Sequence, residues 1–195
     1  MIWPRNLTIS TDVVTEPVSS TEAKLYCKVD GSADDTIFTM LIKQARETLE
    51  ELCGVTLAEK TYIAEWSKIP RNGVLTIPRP PIKSISSVKV VYEDSTEADT
   101  TLTVNDDYYL TKMPWAEIRV GYLSVYSRAC LEITYIAGYG ATGCPALPYP
   151  LKIALLKEIL LQYRYREGLV VDDLTRSLRN EVRELCLPYK RHLMI

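Results

Sequence analysis

The hydrophobic period of this chain changes twice, and that change constrains its fold more than any other feature. From Val55 to Ala137 the segments "EKTYIAEW", "GVLTIP", "ISSVKVVYE", "TTLTV", "DYYLT", "AEIRVGY" and "CLEITYIAG" are short and rich in Val, Ile, Thr and Tyr. Turn residues divide them, so this block reads as about seven strands in an antiparallel meander. "RNG" at Arg71 to Gly73 is a turn, and "PRPP" at Pro78 to Pro81 is a loop or an edge, because proline cannot donate to a ladder.

On either side the period is that of a helix. Residues 1–18 carry Pro4, Pro17 and many Ser and Thr, and read as an extended arm. Ser19 with Glu22 is a capping box that opens a first helix, and Ser32 with Asp35 repeats the spacing before a second. In that second helix Ile37, Phe38, Leu41, Ile42, Ala45, Leu49, Leu52 and Cys53 share one face. Glu47, Glu50 and Glu51 are placed on the other side, and Gly54 stands at the C-terminal stop. Helix returns at Pro148 or Pro150 and runs to about Glu167, with too many apolar residues for one stripe. It is therefore expected to be buried on more than one side, by its own domain, with a neighbouring subunit as a further candidate. A last helix, Asp172 to Leu187, has a narrow stripe of Leu174, Leu178, Val182, Leu185 and Cys186 before Pro188 stops it. Two helices, a block of strands and two more helices make a segregated α+β chain, not an alternating α/β one.

Composition narrows the function classes. The 195 residues are 47% hydrophobic with a net charge of −2, enough for a real core and against disorder. A sequence pI near 5.6 argues against a dedicated nucleic-acid-binding surface over the whole protein. Cys27, Cys53, Cys130, Cys144 and Cys186 form no C-x-x-C, so five reduced thiols are expected, not a disulfide framework or a zinc site. "MIWPRNLTIS" lacks the regions of a signal peptide, and no segment reaches the apolar length of a membrane span. The expectation is a soluble protein, made in the cytoplasm, with no membrane partner.

One motif invites an enzyme reading. Gly138, Gly140 and Gly143 make a G-x-G-x-x-G after a strand and before a helix, as in a dinucleotide-binding turn. Such a turn needs the helix N-terminus at the glycines, whereas Pro145, Pro148 and Pro150 hold helix off until about Pro148. No second parallel strand follows to carry the ribose-binding acid. Gly138 and Gly140 are read instead as a structural turn, with positive φ expected at one of them at least, and no nucleotide cofactor is expected. The single histidine, His192, lies three residues from the last, and any Ser–His or Cys–His pair would depend on it, which argues against nucleophilic catalysis of that type. The carboxylate pairs Asp34–Asp35 and Asp172–Asp173 suit helix starts, and Asp106–Asp107 suits a turn. No catalytic, cofactor-binding or metal-binding residue is singled out.

Taken in order, "VVTEPVSSTEAKLYCKVD", "DDTIFTMLIKQARETLEELCG", "IPRPPIKSISSVKVVYED", "ITYIAGYG", "PYPLKIALLKEILLQYRYRE" and the terminal "PYK" resemble the head–tail connector, or adaptor, proteins of long-tailed bacteriophages. The resemblance runs from Val13 to Lys190. It implies a helical bundle made by residues 19–54 and 148–195, with residues 55–140 inserted as an antiparallel β block. It further implies a structural virion protein, not an enzyme, assembled in the host cytoplasm into a ring of twelve subunits in the virion neck. The ring would dock under the portal protein, receive a stopper or tail-completion protein, and let double-stranded DNA pass. The alternatives are another neck component, either a head-completion or a tail-completion protein, and a small enzyme using residues 138–143.

Two surface features suit a ring. Residues 1–60 hold ten acids against six bases, and residues 150–195 hold nine bases against six acids. Head-to-tail packing of unlike surfaces closes into a ring, although two solvated faces would look the same in sequence. Arg176, Arg179 and Arg183 recur at helical spacing, with Lys190 and Arg191 beyond. They can grip an acidic portal surface or touch DNA phosphate, or simply be the wet side of a helix with Glu181 and Glu184 interspersed. The apolar end, Leu193, Met194 and Ile195, is expected to anchor in a groove of the portal.

Overall fold

The computed structural model describes residues 3–70, 72–92, 98–110, 117–121, 129–140, 145–166 and 173–190, with the side chains of residues 173–175 outside that description. The architecture is α+β and divides into two compact units. One holds residues 1–14 and 58–145, the other residues 15–57 and 146–195.

The first unit is the β unit. Its larger sheet has the order β1 (Asn6–Thr11), β2 (Lys60–Trp66), β8 (Ala129–Ala137), β4 (Ile82–Tyr92), β5 (Thr100–Thr101). A smaller sheet has the order β3 (Val74–Thr76), β7 (Glu117–Val120), β6 (Tyr108–Leu110). All these neighbours pair antiparallel. Each strand-rich segment of the sequence holds a strand, but the chain does not meander. The last strand, β8, lies between β2 and β4, which pair with its two edges from Leu131 to Ala137 and from Ala129 to Ala137. The segment read as an extended arm contributes β1, paired to β2 from Asn6↔Glu65 to Thr11↔Thr61.

Alternation explains the core of this unit. In β2 Tyr62, Ala64 and Trp66 point inward, and in β8 Ala129, Leu131, Ile133, Tyr135 and Ala137 do the same. Register puts Tyr62 opposite Tyr135, Ala64 opposite Ile133 and Trp66 opposite Leu131. The two tyrosine rings stack at 5.5 Å, and Tyr135 donates its hydroxyl to the Pro78 carbonyl at 3.0 Å. Leu75, Ile77, Ile118 and Val120 of the second sheet region join the same hydrophobic cluster. Desolvation in that cluster pushes the Tyr135 hydroxyl far above its ordinary range, so it stays a donor.

The second unit is helical: α1 (Ser20–Cys27), α2 (Asp35–Cys53), α3 (Tyr149–Arg164) and α4 (Asp173–Cys186), followed by a 3-10 turn at Leu187–Tyr189. The Ser19 box is formed. The Ser19 hydroxyl accepts from the Glu22 amide at 3.2 Å, and the Glu22 carboxylate accepts from the Ser19 amide at 3.0 Å. Ser32 does not cap α2. The N-cap is Asp34, whose side chain makes no capping bond and accepts from the Tyr163 hydroxyl at 2.5 Å instead. Gly54 ends α2 with φ +67. α3 packs on α1, α2 and α4, which is why it is apolar around so much of its surface. A neighbouring subunit is not needed to explain Leu151, Ala154, Leu155, Leu156, Ile159 and Leu161, all buried within this unit.

Candidate interaction surfaces

The glycine motif is a backbone crossing. Gly138 has φ +138, and a Cβ there would stand 2.4 Å from the Ala58 carbonyl oxygen. Gly140 has φ +73 with open space around it. A phosphate cradle needs free amides, but the Gly138 N–H donates to Pro81 O and the Gly140 N–H to Pro145 O, each at 2.9 Å. α3 starts only at Tyr149, after Pro148, and β8 is antiparallel to both of its neighbours. Neither the helix terminus nor the parallel crossover of a dinucleotide fold is present at these glycines. Gly143 lies outside the described residues.

Other chemistry-bearing residues have structural partners. Asp35 pairs with Lys24, and Asp107 accepts the Thr103 amide at 2.7 Å in the turn before β6. Asp172 and His192 lie outside the described residues, as does Cys144. Cys27, Cys53, Cys130 and Cys186 are free thiols. The neighbouring Cys53 thiol, together with burial, pushes the Cys186 thiol well above its ordinary value. Among the described residues no group of three His, Cys, Asp or Glu could hold a metal ion.

Sequence reasoning missed a buried ion cluster in α2. Arg46 is fully buried, and Glu50 is buried beside it, not on the outer side of the helix. The Arg46 Nε donates to Glu16 at 2.9 Å and Nη1 to Glu50 at 3.2 Å, while the other Glu50 oxygen accepts the Leu57 amide at 2.9 Å. Glu16 and Leu57 lie at the two ends of the first chain segment of this unit, so the cluster fastens both ends to α2. The available signal was an Arg and a Glu four apart at the margin of the apolar face.

The basic face of α4 is where its periodicity puts it. Val182 and Cys186 are buried, whereas Arg176, Arg179 and Arg183 are exposed together with Asn180. Glu181 is not on that face; it pairs with Lys157 of α3. None of the three arginines makes an ion pair or hydrogen bond among the described residues. Lys190 is exposed just past the 3-10 turn. Arg191, Leu193, Met194 and Ile195 lie outside the described residues.

No protein-family model and no curated protein matches the chain. Solved structures do. A chain from the neck of an empty gene transfer agent (GTA) particle, computed with C6 symmetry, superposes with a TM-score of 0.76 at 17% identity. A chain from the virion of a native gene transfer agent particle gives 0.76 at 18% identity. A chain from the neck of a native GTA particle, computed with C12 symmetry, gives 0.70 at 18% identity. Each match covers 97% of this chain and 97% of the other, so the helical and β parts are shared end to end and the fold is that of these particle chains.

Proposed function

We propose that this protein is a structural neck component of a tailed, phage-like particle, and within the neck the head–tail connector. The observation that carries this reading is the shared fold with GTA neck chains along 97% of both chains. In this role the protein is no enzyme and uses no cofactor. It forms a ring, of twelve subunits, under the portal vertex of the DNA-filled head. The ring offers its other side to a stopper or tail-completion protein, and DNA passes through it. Residues 19–54 and 148–195 act as one bundle, with 55–140 as its insertion, to which the segment 1–18 adds strand β1. The near-neutral net charge suits a conduit that must not retain DNA.

The C6 and C12 symmetries of the matching neck structures support the ring. The portal is the partner proposed for the C-terminal segment, with Lys190, Arg191, Leu193, Met194 and Ile195 as its contacts. Deleting the gene tests the whole reading. Electron microscopy should then show DNA-filled heads and free tails that do not join, restored by the chain supplied in trans. Heads without DNA would point to a head-completion role, and intact tailed particles would remove the protein from the neck. Pull-down of the tagged chain should recover the portal protein; recovery of tail proteins alone would favour a tail-completion role.

A further inference from the structure

The exposed faces of α2 and α4 carry matching patterns that run in opposite directions. On α2, Met40, Lys43, Gln44, Glu47 and Glu51 fall on one exposed face. On α4 and the turn that continues it, Arg176, Asn180, Arg183, Glu184 and Leu187 are likewise exposed. Met40 and Glu51 are separated by the same number of residues as Arg176 and Leu187, about 16 Å of helix. Laid antiparallel, Met40 meets Leu187, Lys43 meets Glu184, Gln44 meets Arg183, Glu47 meets Asn180 with Arg179 beside it, and Glu51 meets Arg176. Lys43 with Glu184 and Glu51 with Arg176 are then opposite-charge pairs, while Gln44 and Asn180 offer amides to Arg183 and Glu47. The two large apolar side chains, 60% and 58% exposed, cover one another.

We propose that the Arg176–Leu187 face of one subunit docks on the Met40–Glu51 face of the next copy of this chain, and that this is the head-to-tail contact of the ring. The inference rests on the ring reading above and assigns the three arginines to a neighbouring subunit, in place of the portal or DNA. A subunit carries both faces on different helices, so the contact is heterologous and repeats around a closed ring. Screened pairs at such a rim are individually weak, and they act here by setting register and partner choice.

The pattern has a specific test in complementation. The full-length variant R176E/R179E/R183E is acid on both faces, and E47K/E51K is basic on both. Each, supplied alone to particle assembly, should give no neck ring and no tailed particles. Supplied together, they should restore both by alternating around the ring. Restoration is what a portal or DNA role for the arginines does not produce, so failure of the mixture overturns the proposal, as does normal assembly of either variant alone. Glu47 also lies 3.6 Å from buried Arg46, so the lysine variant places a second cation beside that guanidinium. Cross-linking therefore provides an independent measurement. M40C/L187C in assembled particles, treated with a short bis-maleimide, should yield a ladder of covalent oligomers, with M40C or L187C alone as the baseline. No ladder in particles whose necks show a ring overturns the docking and leaves the ring standing. Wild-type necks without a ring overturn the ring reading and the docking with it.

Discussion

At the scale of single residues, Gly138 and Gly140 share a motif and differ in physical role. Gly138 is closed in by backbone, with Ala58 O at 2.4 Å, Ala58 C at 2.5 Å and Glu59 N at 2.6 Å from a would-be Cβ. Gly140 meets nothing within 4 Å and needs glycine only for its φ of +73. Gly138→Val is therefore expected to cost about 3 kcal/mol or more in urea denaturation, combining strain with a clash against backbone. Gly140→Ala should cost only about 1 kcal/mol. Neither variant, nor the wild type, should show saturable heat with NAD, NADP or FAD in calorimetry, because both glycine amides already have carbonyl acceptors. A micromolar isotherm would revive the nucleotide reading. The buried Arg46 makes a different demand. Arg46→Ala strands Glu50 in the interior and should cost about 3–5 kcal/mol of unfolding free energy. Arg46→Lys should recover little of it, since one ammonium cannot reproduce the fork that reaches both Glu16 and Glu50.

At the scale of elements, the N-terminus of α1 joins local and tertiary chemistry in one carboxylate. Glu22 completes the box with Ser19 and also receives the Lys152 ammonium of α3 at 2.5 Å. The Lys152 hydrogen bond, with help from the Ser19 amide, lowers the Glu22 pKa below its ordinary value. A carboxylate with a depressed folded-state pKa adds stability that is present above its unfolded pKa and is lost as pH falls through the folded one. Stability of the wild type should therefore drop below about pH 4, and Glu22→Gln should flatten part of that drop. Both partners are largely at the surface, so the difference will be small and reduced by salt. Ser19→Ala should cost about 1 kcal/mol at neutral pH, read from the shift of the denaturation midpoint at unchanged slope. Ser32→Ala should cost almost nothing, because Ser32 is not the cap of α2.

At the scale of the whole molecule, the C-terminal segment carries the attachment proposed for the portal. Deleting residues 189–195 should leave the melting temperature unchanged and abolish joining to portal-bearing heads. Loss of several degrees with normal attachment would make this segment part of the protein's own core. The helices, the seven strand segments, the Ser19 box and the Gly54 stop were legible in sequence, because each depends on neighbours within a turn or on a period of two or 3.6. The sequence by itself therefore determined the α+β class and the position of the basic face on α4. Only the tertiary structure decided the strand order, the capture of β1 and the central place of β8, since strand pairing joins residues that no local pattern relates. It also decided that Arg46 and Glu50 go inside while Glu47 stays out. A charge is buried only where distant partners compensate its desolvation, and Glu16 and the Leu57 amide are brought to α2 by the fold, not by the helix that holds Arg46.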